Sequence, residues 1–263
     1  MGRVQRRYSA SGCYHIMLRG NERKKIFLDD GDHQRFLDIL LKKKTKTQLL
    51  IYAYCLMDNH IHLVVRDDQN EISTIMKGIA TSYAMFFNVK YNRVGHVFQG
   101  RFKSEPIEDE RYLMSVIRYV HNNPVKAKIV KKANQYEWSS YRSYESPEET
   151  TIAEVRYILG MIGGNLNEAI HEFKRFSNEQ DEAKYIDEDD EMIKTLEDGR
   201  IYLEEYLAKK WPGATREAIY EDQVMRNKII QELRTNTGLS IRKIAELLSV
   251  NRRVVERLVS KSN

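Results

Sequence analysis

The residues best suited to chemistry lie in "CLMDNHIHLVVRD", Cys55 to Asp67, where His60 and His62 stand one residue apart inside an apolar run. Side chains alternate along a strand, so both imidazoles fall on one face, about 7 Å apart at Cβ. Two rings at that spacing can close on one metal ion; they can equally be ordinary polar residues of an open sheet face. A two-histidine site is incomplete, because a catalytic metal needs a further ligand and an open position. Downstream, "RYVHNNP" sets Tyr119 and Asn123 four residues apart, on one face of a helical turn, with His121 pointing elsewhere. A phenol and an amide there can both reach one metal. Tyr119 also has the spacing of a core aromatic, as has Tyr112, and periodicity does not separate the two roles.

The elements that position these residues follow from hydrophobic period. "GCYHIMLRG" alternates as a first strand, with Cys13, His15, Met17 and Arg19 on one face and Tyr14, Ile16 and Leu18 on the other. "DDGDHQRFLDILLKKKTK" puts acidic residues first, then Phe36, Leu37, Leu40 and Leu41 at helical spacing, then lysines that suit a helix C-terminus. "QLLIYAYCLM" and "HIHLVV" flank Asp58 and Asn59, which are good turn formers, and read as a hairpin. Ile72, Ile75, Met76, Ile79, Tyr83, Phe86 and Phe87 define a second helix; "EPIE" reads as a fourth strand, and "DERYLMSVIRYVHNN" as a third helix closed by Pro124. The order βαββαβ plus a helix predicts a ferredoxin-like antiparallel sheet in an α+β fold. Ile61, Leu63 and Val65 then face the covering helices, and His60 and His62 the opposite side.

Composition bounds the rest. The chain has 263 residues, a formal net charge of +5 and two cysteines, Cys13 and Cys55. That length suits two domains, and two cysteines exclude a disulfide scaffold or a four-cysteine zinc site. Without an apolar leader or membrane-length stretch, the expectation is a cytoplasmic, nucleoid-associated protein with no membrane partner. Basic clusters at both ends, separated by the acidic block "NEQDEAKYIDEDDE", point to a polyanion partner or to solvated helices.

Three segments in order, "MDNHIHLVV", "GHVFQGRFKS" and "IRYVHNNPVKAKIV" with "YEWSSY", make the first 145 or so residues resemble the single-tyrosine HUH transposases, with the greatest likeness to the REP-associated tyrosine transposases. Many members have a proline where this chain has Asp58. The resemblance implies a ferredoxin-like catalytic fold, with metal ligands at His60, His62 and Asn123, a nucleophile at Tyr119, and Mg²⁺ or Mn²⁺ as cofactor. It implies cleavage and rejoining of single-stranded or hairpin DNA through a 5′-phosphotyrosine. Lys126 and Lys128 are general-base candidates by proximity in sequence alone. Flanking basic and aromatic residues would bind the strand: Arg19, Arg23, Lys24 and Lys25 after the first strand, and Arg93, His96, Phe98, Arg101, Phe102 and Lys103 around the "GHVFQGRF" loop. Trp138 and Tyr141 are expected to pack the end of the domain. Rival readings are a non-catalytic DNA-binding regulator that keeps this fold, and a nuclease that uses water.

The second half changes character. Residues 146–200 read as a helical extension around a glycine turn, with Ile152, Val155, Ile158 and Leu159 on one apolar face, followed by an acidic linker. Residues 201–263 read as an all-α domain, where "SIRKIAELLSVNRRVVERLV" resembles a helix-turn-helix with a Ser240 cap and outward Arg252 and Arg253, suited to duplex DNA. A plain helical bundle is the alternative. Monomer and homodimer are both compatible with the pattern.

Overall fold

The computed structural model describes residues 7–147, 152–179, 185–186, 196–213, 219 and 222–259. The chain divides into two compact units, Met1–Ile186 and Asp187–Asn263.

The first unit runs β1 (Cys13–Arg19), α1 (Asp30–Thr47), β2 (Leu50–Met57), β3 (His60–Arg66), α2 (Ile72–Lys90), β4 (Lys103–Ile107) and α3 (Glu110–Lys126), then α4 (Tyr141–Glu145), α5 (Val155–Ile162) and α6 (Leu166–Ser177). The sheet order is β2-β3-β1-β4 with every pairing antiparallel, which is the expected ferredoxin-like arrangement. Asp29 caps α1 by accepting from the Asp32 backbone N–H at 3.1 Å, and Gln48 ends it in the left-handed region at φ 54°. Lys90, at the end of α2, reaches Asp29 and Asp32 at 2.7 Å each. Phe36 and Leu40 of α1 and Ile75, Met76, Ile79, Tyr83 and Phe87 of α2 are buried against Ile16, Leu18, Ile61, Leu63 and Val65.

The opposite sheet face, expected to be open, is covered. Leu113, Val116, Ile117 and Val120 of α3 pack there with Cys13, Cys55 and Val64, joined by Tyr144, Val155, Ile158 and Phe173. The physical reason is that the apolar faces of α3, α5 and α6 need burial, and this side of the sheet supplies it. The Glu154 N–H also donates to the Ile51 carbonyl at 2.7 Å, tying the lead-in of α5 to β2. The first unit therefore continues past residue 145, through both helices of the extension. Pro124 lies inside α3 rather than after it: so near the C-terminus it removes one intrahelical bond, and the Ala127 N–H still donates to the Asn123 carbonyl at 2.9 Å. Most of the expected acidic linker, 179–191, lies outside the described residues.

The second unit contains α7 (Leu196–Lys210), α8 (Gln223–Asn236), α9 (Ile241–Leu247) and α10 (Arg252–Val259). Asp222 caps α8, accepting from Val224 and Met225 at 2.8 and 3.0 Å, and Ser240 caps α9, accepting from Lys243 at 3.3 Å. Leu203, Ile229, Ile230, Leu233, Leu239, Ile244 and Val255 form its core. Gly199 permits the approach of α7, since a Cβ there would meet Leu239 Cδ1 at 2.8 Å. Among the described residues, no helix is long and apolar enough to cross a membrane.

His33 of α1 stacks between Phe27 (4.2 Å) and Trp138 (4.5 Å), which accounts for the packing role expected of Trp138. Burial holds its pKa below the ordinary imidazole value. A folded-state pKa below the unfolded one means that this contribution to stability is present above about pH 6.5 and is lost on acidification. We expect urea midpoints of the native chain to fall more between about pH 7 and 5 than those of His33→Phe; parallel declines would refute the coupling.

Candidate active site

The register of β1 against β3 sets Met17 opposite His62 and Arg19 opposite His60, while β4 sets Glu105 opposite His15. Opposed residues of an antiparallel pair share a face, so three histidines and a carboxylate gather on the side covered by α3. His15 Nε2 lies 3.0 Å from His62 Nδ1, and His15 Nδ1 lies 3.8 Å from Glu105 Oε2. His15 and His62 are fully buried; His60 is half-buried at the end of its strand.

α3 brings the remaining groups. Asp109 caps it by accepting from the Tyr112 N–H at 2.8 Å, and its apolar stripe seats it on the sheet. Tyr119 and Asn123 then face the histidines. The Tyr119 ring stands edge-on to His62 at 5.8 Å and to His15 at 5.9 Å, and Asn123 Oδ1 lies 3.2 Å from His60 Nε2. On the other side of α3, His121 meets Ser140 Oγ at 2.8 Å, and burial pushes its imidazole pKa down to about 3. His121 is thus a core residue, as its direction on the helix implied.

His60 tests whether the cluster suits a cation. Its Nδ1 is 2.7 Å from Asn59 Oδ1 and its Nε2 is 3.2 Å from Asn123 Oδ1. A neutral imidazole carries one N–H, so it can donate to only one of these oxygens. With the proton directed at Asn59, the Nε2 lone pair and the Asn123 oxygen converge, and His62 is 5.0 Å away between ring centroids. Two imidazoles and an amide oxygen fit a divalent first-row ion. Among the described residues no group of three His, Cys, Asp or Glu is disposed to hold a metal ion.

Two features escape sequence reasoning. His15 alternates onto a definite face of β1, but only the inter-strand register brings it and Glu105 to His62. Tyr185, within the acidic block, stacks on Tyr119 at 4.0 Å and donates to the Ser115 carbonyl at 3.2 Å. Lys126 Nζ lies 4.5 Å from the centre of the Tyr119 ring. Beside it opens a cavity of about 500 Å³ lined by Arg118, Asn122, Lys131 and Lys132 as well as Tyr119 and Lys126.

Of the basic candidates, Arg19 lies at the end of β1 beside His60. The chain after it bends through Arg23, whose φ is 57°; Lys24 pairs with Glu22 and Lys25 with Asp58, at 2.8 and 2.7 Å. The loop carrying Arg93, His96 and Arg101, all exposed, docks on the same strand end. The Gln99 N–H donates to the Arg19 carbonyl and the Asn21 N–H to the Val97 carbonyl, each at 2.8 Å. Lys103 opens β4. Phe98 and Phe102, expected as stacking platforms, are instead buried in the core, Phe98 against Tyr83 at 6.1 Å. Their rings anchor the loop, because apolar surface beside an exposed strand end is better buried than solvated. In the second unit Arg252 pairs with Glu256 at 2.8 Å, and Arg253 is exposed at the start of α10.

Residues 9–123 match the family model described as Transposase IS200 like. A solved structure described as a REP-associated tyrosine transposase bound to a REP hairpin is similar at 18% identity, over 63% of this chain and 93% of that one, with a TM-score of 0.48. A proposed transposase from Deinococcus radiodurans R1 is similar at 18% identity, over 46% and 97% of the two chains, with a TM-score of 0.33. No curated protein matches the chain significantly.

Ser140 Oγ, which meets His121 and accepts from the Tyr54 N–H at 2.9 Å, joins α3 to β2 behind the site. Ser140→Ala leaves buried polar atoms unsatisfied, and we expect a loss of about 1–3 kcal/mol in urea unfolding; a loss below about 0.5 kcal/mol would count against that anchor.

Proposed function

On the premise that residues 9–123 form a transposase domain of the IS200-like family, we propose that this chain cleaves and rejoins single-stranded DNA of hairpin or palindromic form through Tyr119. The supporting observation is the convergence of Tyr119, His62, His60 and Asn123 on one covered sheet face. In the reaction the Tyr119 oxygen attacks the phosphorus and gives up its proton to solvent, while the bond from phosphorus to the 3′-oxygen breaks and that oxygen takes up one proton from solvent, leaving a 3′-hydroxyl and a 5′-phosphotyrosine. A later 3′-hydroxyl reverses the step, so the phosphodiester energy is retained without an external source.

His60, His62 and Asn123 would hold the divalent ion, Mn²⁺ or Mg²⁺. When bound, the ion supplies Lewis-acid polarisation of a phosphate oxygen. The protein's own groups prepare the nucleophile. A phenol with an ordinary pKa of about 10 attacks poorly while protonated; the Lys126 ammonium lies 4.5 Å from the centre of the Tyr119 ring, a cation held against its face. The cavity beside Tyr119, with Lys126, Lys131 and Lys132 on its walls, offers the DNA backbone a cationic approach. Arg19, Arg23, Lys24, Lys25, Arg93, His96, Arg101 and Lys103 would bind the strand around the end of β1, where Arg19 lies opposite His60. The second unit would bind duplex DNA as a helix-turn-helix through Arg252 and Arg253.

With purified chain, Mn²⁺ and a hairpin oligonucleotide, we expect a covalent protein–DNA adduct that survives denaturing electrophoresis. Chelator and Tyr119→Phe should each abolish it. Equal adduct from Tyr119→Phe would remove Tyr119 as the nucleophile, and cut strands with no adduct would instead support hydrolysis by water. For the second unit, replacing Arg252 and Arg253 with Ala should lower the slope of log affinity against log salt for duplex DNA by about 1–2; an unchanged slope would favour the plain bundle.

A further inference from the structure

We propose that His15 and Glu105 are positioning residues that hold His62 in the tautomer protonated at Nδ1, leaving its Nε2 lone pair to the ion. The inference rests on the reading of His62 as a metal ligand. Three adjacent strands supply one residue each: Glu105 from β4, His15 from β1 and His62 from β3. Their order in space is carboxylate, imidazole, imidazole, with 3.8 Å between Glu105 Oε2 and His15 Nδ1 and 3.0 Å between His15 Nε2 and His62 Nδ1.

One proton must lie between the two rings, and its owner decides what His62 can do. If His15 Nε2–H donates, neutral His62 carries its own proton on Nε2 and cannot offer that nitrogen to a cation. If His62 Nδ1–H donates, Nε2 is a ligand. Glu105 breaks the tie. At 3.8 Å its carboxylate is too distant for a normal hydrogen bond but close enough to favour a proton on the facing His15 Nδ1. Neutral His15 then presents a bare Nε2, which accepts from His62. Both rings are fully buried, so bulk water does not offer competing partners. Ligand histidines are generally oriented through their second nitrogen in this way. His60 obtains the same result from a different partner, Asn59 Oδ1 at 2.7 Å from its Nδ1.

The test reads the tautomer directly. In metal-free, histidine-¹⁵N-labelled full-length chain, long-range ¹H–¹⁵N correlation spectra should show His62 protonated at Nδ1 and bare at Nε2. Glu105→Gln should shift that population toward the other tautomer, without emptying a buried site. His15→Phe, which removes the acceptor, should weaken Mn²⁺ binding roughly 10–100-fold, followed by the paramagnetic resonance signal of unbound Mn²⁺. His15→Gln, whose amide oxygen can accept, should recover most of that affinity. Native His62 protonated at Nε2 would overturn the proposal, as would a tautomer population unmoved in Glu105→Gln. If Mn²⁺ failed to bind the native chain, the metal reading would fall, while the tautomer spectra, recorded without metal, would still decide the relay.

Discussion

The antiparallel pairing of β1 with β3 is the constraint on which the site depends. It runs from Cys13 opposite Arg66 to Arg19 opposite His60. A slip of one residue would turn His15 away from His62 and send the apolar residues of either strand to the wrong face. Such a slip is resisted from both sides. Ile16, Leu18, Ile61, Leu63 and Val65 are buried under α1 and α2, while Cys13 and Val64 are buried under α3. The apolar register of the core and the polar register of the site are therefore one arrangement.

Placing polar groups inside that packing is costly unless they satisfy one another. The His15–His62 hydrogen bond offsets part of that cost by linking neighbouring strands, and α3 brings Asn123 to the half-buried His60. α3 itself is held on both flanks: its stripe of leucine, valine and isoleucine lies on the sheet, and His121 is tied to Ser140 on the far side. Tyr119 thus emerges from a helix with little freedom to turn. The proposed nucleophile and ligand set stand on separate elements and would need that rigidity, because their relative placement is created only by packing.

Charge is arranged around this core. The loop between α2 and β4 docks its backbone on the end of β1 and buries Phe98 and Phe102, so Arg93, His96 and Arg101 project from a fixed base. Beside Tyr119, Lys126, Lys131 and Lys132 line one cavity. Both groups of cations therefore border residues of the candidate site, Arg19 opposite His60 in the strand register and Lys126 against the Tyr119 ring.

Local order was legible in the sequence except at element ends, where α3 runs on through Pro124 and β4 begins at Lys103. Periods of two and of 3.6 residues located the four strands and the first three helices, and the turn at Asp58 and Asn59 made β2 and β3 a hairpin. Helical spacing also put Tyr119 with Asn123 and turned His121 away. Those properties depend on neighbours a few residues off, so the chain alone determines them. What lay beyond reach depended on contacts between distant segments. The cover over the histidine face comes from helices as far along as Phe173; the burial of Phe98 depends on Tyr83 across a core; Tyr185 reaches Tyr119 from an acidic stretch that composition marked only as solvated. His15 states the division most plainly. Alternation determined its face, but its neighbours belong to strands with no local sequence tie to it, so only tertiary hydrogen-bond register decided that it meets His62 and Glu105.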